Sequence, residues 1–138
     1  MSTPNQSLFL VTLVVSDQSL AKIFYCNHLG FDCVEDSDPS GSGSKRRLII
    51  RPPGSPNTGA ALNIAPATTD AQKSAVGNQT GGRVGFFLRT DNFARDHKAM
   101  LEKGVEFLEE PRYEVYGTVA VFKDPFGNTW DLIEDAKA

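Results

Sequence analysis

The chain has 138 residues, 40% of them hydrophobic, and a formal net charge of −3. A chain of this length can bury a core of its own, so neither a disulfide framework nor a structural metal is required for stability. Its 14 basic residues are spread along the chain, which argues against nucleic acid as a partner. The two cysteines, Cys26 and Cys33, do not form the pattern of a secreted disulfide protein, so we expect a cytoplasmic location.

The first half of the chain predicts a strand, a helix and three more strands. The apolar run that ends at Val15 is too short to span a membrane and lacks the features of a secretory leader, so we expect no membrane association. Ser16 or Asp17 can cap a helix at 19–29, and Gly30 ends that helix. The following strands are predicted at 31–34, 46–51 and 59–64.

The second half repeats this order with a shift of 74 residues, which places Asp91 on Asp17 and Gly104 on Gly30. It predicts a capping role for Asp91, a helix at 93–103, and strands at 84–88, 105–108, 117–122 and 129–134. The stretch 66–82 is poor in large apolar residues and is interpreted as a connector. The sequence thus predicts one α+β domain over residues 1–138, built from two tandem βαβββ modules at 8–65 and 83–135.

Two such modules, the opening VTLVVSDQSLAKIFYCNHLGF and the closing YGTVAVFKDPFGNTWDLIE together resemble the vicinal oxygen chelate superfamily. This superfamily includes glyoxalase I, extradiol dioxygenases and bleomycin-resistance proteins. The resemblance covers residues 8–135 and implies a curved mixed sheet around a cavity, with the helices outside. It also implies a homodimer, because the superfamily often completes its cavities across a two-fold interface.

Enzymes of the superfamily hold a divalent metal in that cavity, with His or Glu ligands on the first and last strands of each module. Carried over by motif, the four ligand positions fall on Leu10, Asn63, Gly85 and Asp131. Leucine and glycine side chains have no ligand atom, and a neutral asparagine is a weak ligand. We therefore predict neither a metal nor another cofactor.

The two histidines are interpreted as packing residues. His97 shares a predicted helical face with Phe93 and Met100. His28 lies in the last turn of the first predicted helix, where a positive charge suits the helix C-terminus.

Strand alternation, with those four positions taken as inward-facing, predicts the side chains that line the cavity. The candidate ligand-binding residues are Asn63, Arg83, Phe87, Tyr113, Tyr116 and Asp131. Three roles are open for Arg83 and Asp131. They can form a structural salt bridge in place of the lost metal, Arg83 can receive an anionic or carbonyl group of a ligand, or Asp131 can act as a general base.

These observations favour a metal-independent protein that binds a small, partly apolar molecule, with sequestration as the first interpretation. The alternative is an enzyme of the same superfamily with an atypical site, such as a glyoxalase-like lyase or isomerase or a dioxygenase, in which Asp131 would be the catalytic residue. The identity of the ligand is not predicted, because the loops at 37–45 and 66–82 shape the pocket and no periodicity fixes their positions.

Overall fold

The computed structural model of the protein describes residues 2–54, 56 and 58–137. They form two mixed β-sheets and a few short helices, which confirms the predicted α+β class. In chain order the first elements are β1 (Leu10–Val15), α1 (Gln18–Lys22), a π-helical continuation (Ile23–His28), β2 (Asp32–Ser37), β3 (Arg47–Arg51) and β4 (Ala61–Pro66). The remaining elements are α2 (Asp70–Ala75), β5 (Phe86–Arg89), α3 (Phe93–Glu102), β6 (Glu106–Phe107), β7 (Arg112–Glu114), β8 (Gly117–Lys123) and β9 (Thr129–Asp135).

The two sheets have the same plan. The first sheet has the strand order β1-β4-β3-β2, and the second has the order β5-β9-β8-β6, with β7 also paired to β8. In each sheet the first and last strands of that half are parallel neighbours, and the other pairs are antiparallel. The predicted repeat of one β-α-β-β-β unit is therefore confirmed, while β7 was not predicted.

The helix of each half ends at a glycine with a left-handed backbone, Gly30 at φ 78° and Gly104 at φ 86°. The side chain of Asp17 caps α1, as predicted, but α3 is capped by Asn92 rather than by Asp91. The stretch from cap to glycine is consequently one residue longer in the first half. The π-helical turn accommodates that residue, because a π-turn takes up one residue more than an α-turn.

The connector, which was predicted without secondary structure, contains the short helix α2. Thr69 and Gln72 form a capping box at its start, with Thr69 Oγ1 accepting a hydrogen bond from Gln72 N. The spacing of threonine and glutamine is a recognised helix-start signal. The helix could therefore have been found in the sequence.

The rest of the connector is fixed to both halves. Gln79 lies along the free edge of β1, where its Oε1 accepts from Val14 N at 2.5 Å and its Nε2 donates to Thr12 O at 3.2 Å. These two hydrogen bonds substitute for a neighbouring strand and cover the edge. Gly77 packs against the turn before β9 so closely that a Cβ atom there would lie 1.9 Å from Phe126 O.

The two halves share one hydrophobic core, and Tyr25 of the π-helical turn joins them. Its hydroxyl donates to Asp124 Oδ2 at 2.7 Å and accepts from Trp130 Nε1 at 3.1 Å. Asp124 also accepts hydrogen bonds from the backbone of Phe126 and from both the backbone and side chain of Asn128. The buried carboxylate is thus supplied with donors from both halves of the protein.

Each sheet has one face in this core and one face turned away from it. Along β9, Trp130 and Leu132 are buried in the core, whereas Asp131 points to the opposite side. We call the sides opposite the core the open faces of the two sheets. No helix in the described part of the chain is long and apolar enough to cross a membrane.

We expect Tyr25→Phe to lower the free energy of unfolding by about 1–3 kcal/mol, because Asp124 loses a buried hydrogen-bond donor. Urea denaturation measures this change. The matched control is Tyr113→Phe, since Tyr113 is 82% exposed, and its effect should stay within about 0.5 kcal/mol. Equal effects of the two substitutions would show that the Tyr25 hydroxyl does not join the halves.

Candidate functional site

Asp131 lies in the middle of β9 on the open face of the second sheet. The strand register places it beside Val121 of β8 and beside Phe87 of β5. The backbone N–H and C=O of Val121 both bond away from β9, so Val121 and Asp131 form a non-hydrogen-bonded pair whose side chains approach closely. Phe87 is 69% exposed. One carboxyl group therefore lies between two apolar side chains.

The carboxyl group of Asp131 has no hydrogen-bond donor in the described part of the chain, and its Oδ1 is fully enclosed. Burial raises the pKa of this group above its ordinary value, since an enclosed oxygen disfavours the charged form. The positive charge of Arg112 opposes this shift, and the negative charge of Glu109 adds to it. Asp131 is thus a half-buried acceptor that no described residue bonds.

The predicted pair of Arg83 and Asp131 is not formed. Strand β5 begins only at Phe86, and its parallel register with β9 places Phe87, not Arg83, beside Asp131. Four residues of extended chain span about 13 Å, too far for a salt bridge. The Arg83 side chain is exposed and makes no salt bridge within the described residues. A ligand-binding role for Arg83 stays a prediction.

Among charged groups, Arg112 has the largest effect on the pKa of Asp131, which it lowers, and sequence reasoning missed this residue. Arg112 Nε donates to both oxygens of Glu109 at 3.0 and 3.1 Å, and its Nη1 donates to Glu114 at 3.1 Å. These carboxylates raise the pKa of the guanidinium group. Glu109 also accepts from Val121 N at 3.0 Å, so its position is fixed by the sheet. Both residues lie in the segment around β7, where the sequence shows no strand pattern.

The open face of the first sheet carries a second polar position. Asn63 of β4 is paired with Thr12 of β1, and its Nδ2 donates to Thr12 Oγ1 at 3.3 Å. Leu10 is paired with Ala61, one side-chain repeat away on the same face. Asn63 therefore lies on the open face of the first sheet and is hydrogen-bonded to threonine, while its ligand-binding role stays a prediction.

Residues 7–132 match a protein-family model described as the Glyoxalase/Bleomycin resistance protein/Dioxygenase superfamily. The chain belongs to this superfamily. An uncharacterized protein of Shewanella frigidimarina is 44% identical over 94% of this chain and 93% of its own length.

Two solved structures show the same fold. TnmS3, described as an antibiotic binding protein from Streptomyces sp. CB03234, superposes with a TM-score of 0.75 at 27% identity, covering 98% of this chain and all of TnmS3. A superfamily member from Sphaerobacter thermophilus superposes with a TM-score of 0.71 at 26% identity, covering 95% and 98% of the two chains. The predicted resemblance and the two-module fold are both confirmed.

The residues present do not fit the divalent metal used by enzymes of this superfamily. The side chains that face each other in the strand register are Thr12 and Asn63 in the first sheet and Phe87 and Asp131 in the second. Only one of these four carries a charged oxygen. Within the described residues, no group of three or more His, Cys, Asp or Glu side chains could hold a metal ion. Such a set gives a borderline metal too few ligands.

The two tyrosines predicted at the cavity mouth are separated by the sheet. Tyr113 is paired with Thr118 and points to the face opposite Arg112, where it lines a cavity of about 350 Å³ at the start of α3. The structure therefore does not bring Tyr113 to Asp131, which is a correction of the expected position. Tyr116 follows β7 and helps to raise the pKa of the Arg112 guanidinium group, which places it at the border of the site.

The two histidines and Cys26 are packed against neighbouring residues. His97 stacks on Phe93 at 5.2 Å and meets the edge of Phe107 at 4.5 Å, which confirms its predicted packing role. His28 packs against the ring of Phe24 at 5.8 Å. Burial raises the pKa of the Cys26 thiol, which disfavours the nucleophilic thiolate.

We expect Asp131→Asn to raise the free energy of unfolding at pH 7, by less than about 1 kcal/mol because the group is only half-buried. An acid whose pKa is higher in the folded state lowers stability as the pH rises above its unfolded value, here 3.8. The gain should therefore vanish below pH 3.8. Urea denaturation at both pH values measures it.

The matched control is Asp135→Asn on the same strand, because Asp135 is exposed and paired with Arg89. This substitution should bring no gain at pH 7. A loss of stability in Asp131→Asn at pH 7 would mean that the carboxylate has a stabilising partner.

Proposed function

We propose that the protein binds a small, partly apolar molecule without a metal, and that the open face of the second sheet forms part of the binding site. The observation that carries this proposal is the carboxyl group of Asp131, which has no hydrogen-bond partner among the described residues and lies between Phe87 and Val121. Enclosed polar atoms are nearly always hydrogen-bonded, so an unsatisfied one needs an explanation. A binding residue that costs stability when the site is empty provides one.

The surroundings of Asp131 support binding of a small molecule. Ligand sites combine apolar walls with a few polar groups that fix the orientation of the ligand. Phe87 and Val121 provide such walls, and Asp131 is the polar group between them. The structural neighbour TnmS3 is described as an antibiotic binding protein. By this likeness we infer that the protein sequesters its ligand rather than transforming it.

We further propose that two copies of the chain associate and cover the open faces. Phe87 and Tyr116 are exposed near Asp131, and Leu8 and Phe9 are exposed before β1. Contiguous exposed apolar side chains mark association surfaces, and we propose that these residues form such a surface between the two copies. The two unpaired cysteines support a cytoplasmic location for the dimer. Sedimentation velocity should give twice the chain mass of 15.0 kDa, and a mass of 15.0 kDa would contradict the dimer.

The metal-free character of the site can be tested by calorimetry. Dialysed, tag-free protein should bind none of nickel, zinc, manganese or ferrous iron stoichiometrically, because one carboxylate between two apolar side chains supplies too few ligands. Asp131→Asn serves as the matched control. Stoichiometric binding in the micromolar range that is lost in this variant would contradict the proposal and favour a lyase or dioxygenase.

A further inference from the structure

We propose that the ligand presents a hydrogen-bond donor, an ammonium, amide or hydroxyl group, to the carboxyl group of Asp131, and that this end of the ligand carries no negative charge. The inference rests on the proposed function, since it assigns a chemical class to the ligand of the same site. It departs from the expectation that an arginine receives an anionic group.

The protein itself leaves the acceptor positions of Asp131 free. The Oδ1 atom of Asp131 is enclosed and has no hydrogen-bond partner among the described residues, so a ligand would approach the carboxyl group at its other oxygen, Oδ2. Val121 cannot supply a donor, because its N–H is bonded to Glu109 on the far side of β8. The hydroxyl of Thr129, two residues before Asp131, points to Arg83 O at 3.4 Å. Phe87 has no side-chain donor. Since none of these described residues supplies a donor to Asp131, we infer that the ligand does.

The positive charge of Arg112 does not make the open face of the second sheet a binding site for anions. Arg112 is bonded to Glu109 and Glu114, which together carry more negative charge than the guanidinium group neutralises. Asp131 adds a third carboxyl group to the same face. An anionic ligand would meet a surplus of negative charge, whereas a cationic or neutral donor would not.

The apolar neighbours define the rest of the ligand. The exposed ring of Phe87 offers a flat surface on one side of Asp131, and Val121 offers an aliphatic surface on the other. An aromatic or aliphatic body can cover both surfaces while its donor reaches the carboxyl group. The ligand class is thus an apolar molecule with one amine, amide or hydroxyl group at its edge.

Four probes with the same ring system test this class: naphthylmethylamine, naphthylmethanol, methylnaphthalene and naphthoate. Binding is followed by the amide resonances of Phe87, Val121 and Asp131, which report both affinity and location. We expect the amine to bind about tenfold more tightly than methylnaphthalene, as a charge-assisted hydrogen bond would give. The alcohol should fall between them, and naphthoate should bind most weakly.

Two variants distinguish the effect of the Asp131 carboxyl group on binding from the effect of removing any negative charge from the strand. Asp131→Asn should abolish the advantage of the amine over methylnaphthalene. Asp135→Asn, which removes the same charge from the same strand, should keep that advantage. Because Asp131→Asn is expected to be at least as stable as the natural chain, loss of binding in it would not reflect unfolding.

The remaining outcomes overturn the inference in distinguishable ways. If all four probes bind equally at these amides and Asp131→Asn changes nothing, the site binds small molecules but has no donor preference. If naphthoate binds most tightly and loses affinity in Arg112→Gln, the face is an anion site. If no probe shifts any of these amides, the proposed function fails and the inference fails with it.

Discussion

The buried hydrogen bonds among Tyr25, Asp124 and Trp130 are the interaction on which the rest of the structure depends. Tyr25 and Asp124 are 99 residues apart in the chain, and their contact joins the helix of the first half to the second sheet. Of the donors to Asp124, only the Tyr25 hydroxyl comes from the first half, so about 1–3 kcal/mol depends on this contact between the halves. The π-helical turn places the Tyr25 hydroxyl where the carboxylate requires it.

This constraint also determines the site. Trp130 is held in the core by Tyr25, and strand alternation then directs the next residue, Asp131, to the open face. Asp124 and Asp131 lie seven residues apart and differ in the number of hydrogen-bond donors around them. The first is surrounded by donors and contributes to folding, whereas the second has no donor within the described chain and is the residue that we propose binds the ligand. We infer that the site lies on one side of a strand whose other side is fixed by core packing and by the hydrogen bond of Trp130 to Tyr25.

Much of this architecture could be predicted from the sequence, because its local signals are strong. Gly30 and Gly104 end the two helices where only a left-handed backbone fits, and the strands follow from apolar alternation. The cap at Asn92 was missed since the repeat was aligned without a gap, and a π-turn inserts one residue that no composition reveals. The helix at 70–75 was missed although the Thr69 and Gln72 signal was present.

The candidate site was harder to predict, because it depends on register between distant strands. The alternation of side chains along the strand predicted the face on which Asp131 lies. It could not show that Phe87, rather than Arg83, lies beside it. The proximity of Arg112 to the site could not be predicted, because it depends on the short strand β7 and on the ion pair with Glu109. Side-chain alternation tells which face a residue occupies, whereas neighbours across a sheet follow only from the pairing itself.

The central claim is that the open face around Asp131 binds a small molecule through its own side chains. The most direct measurement is a crystallographic fragment screen, with data collected above the absorption edge of zinc. The account predicts fragments bound between Phe87 and Val121, each with a donor group on the Asp131 carboxyl, and no anomalous peak there. A metal peak at Asp131, or fragments found only away from this face, would contradict it.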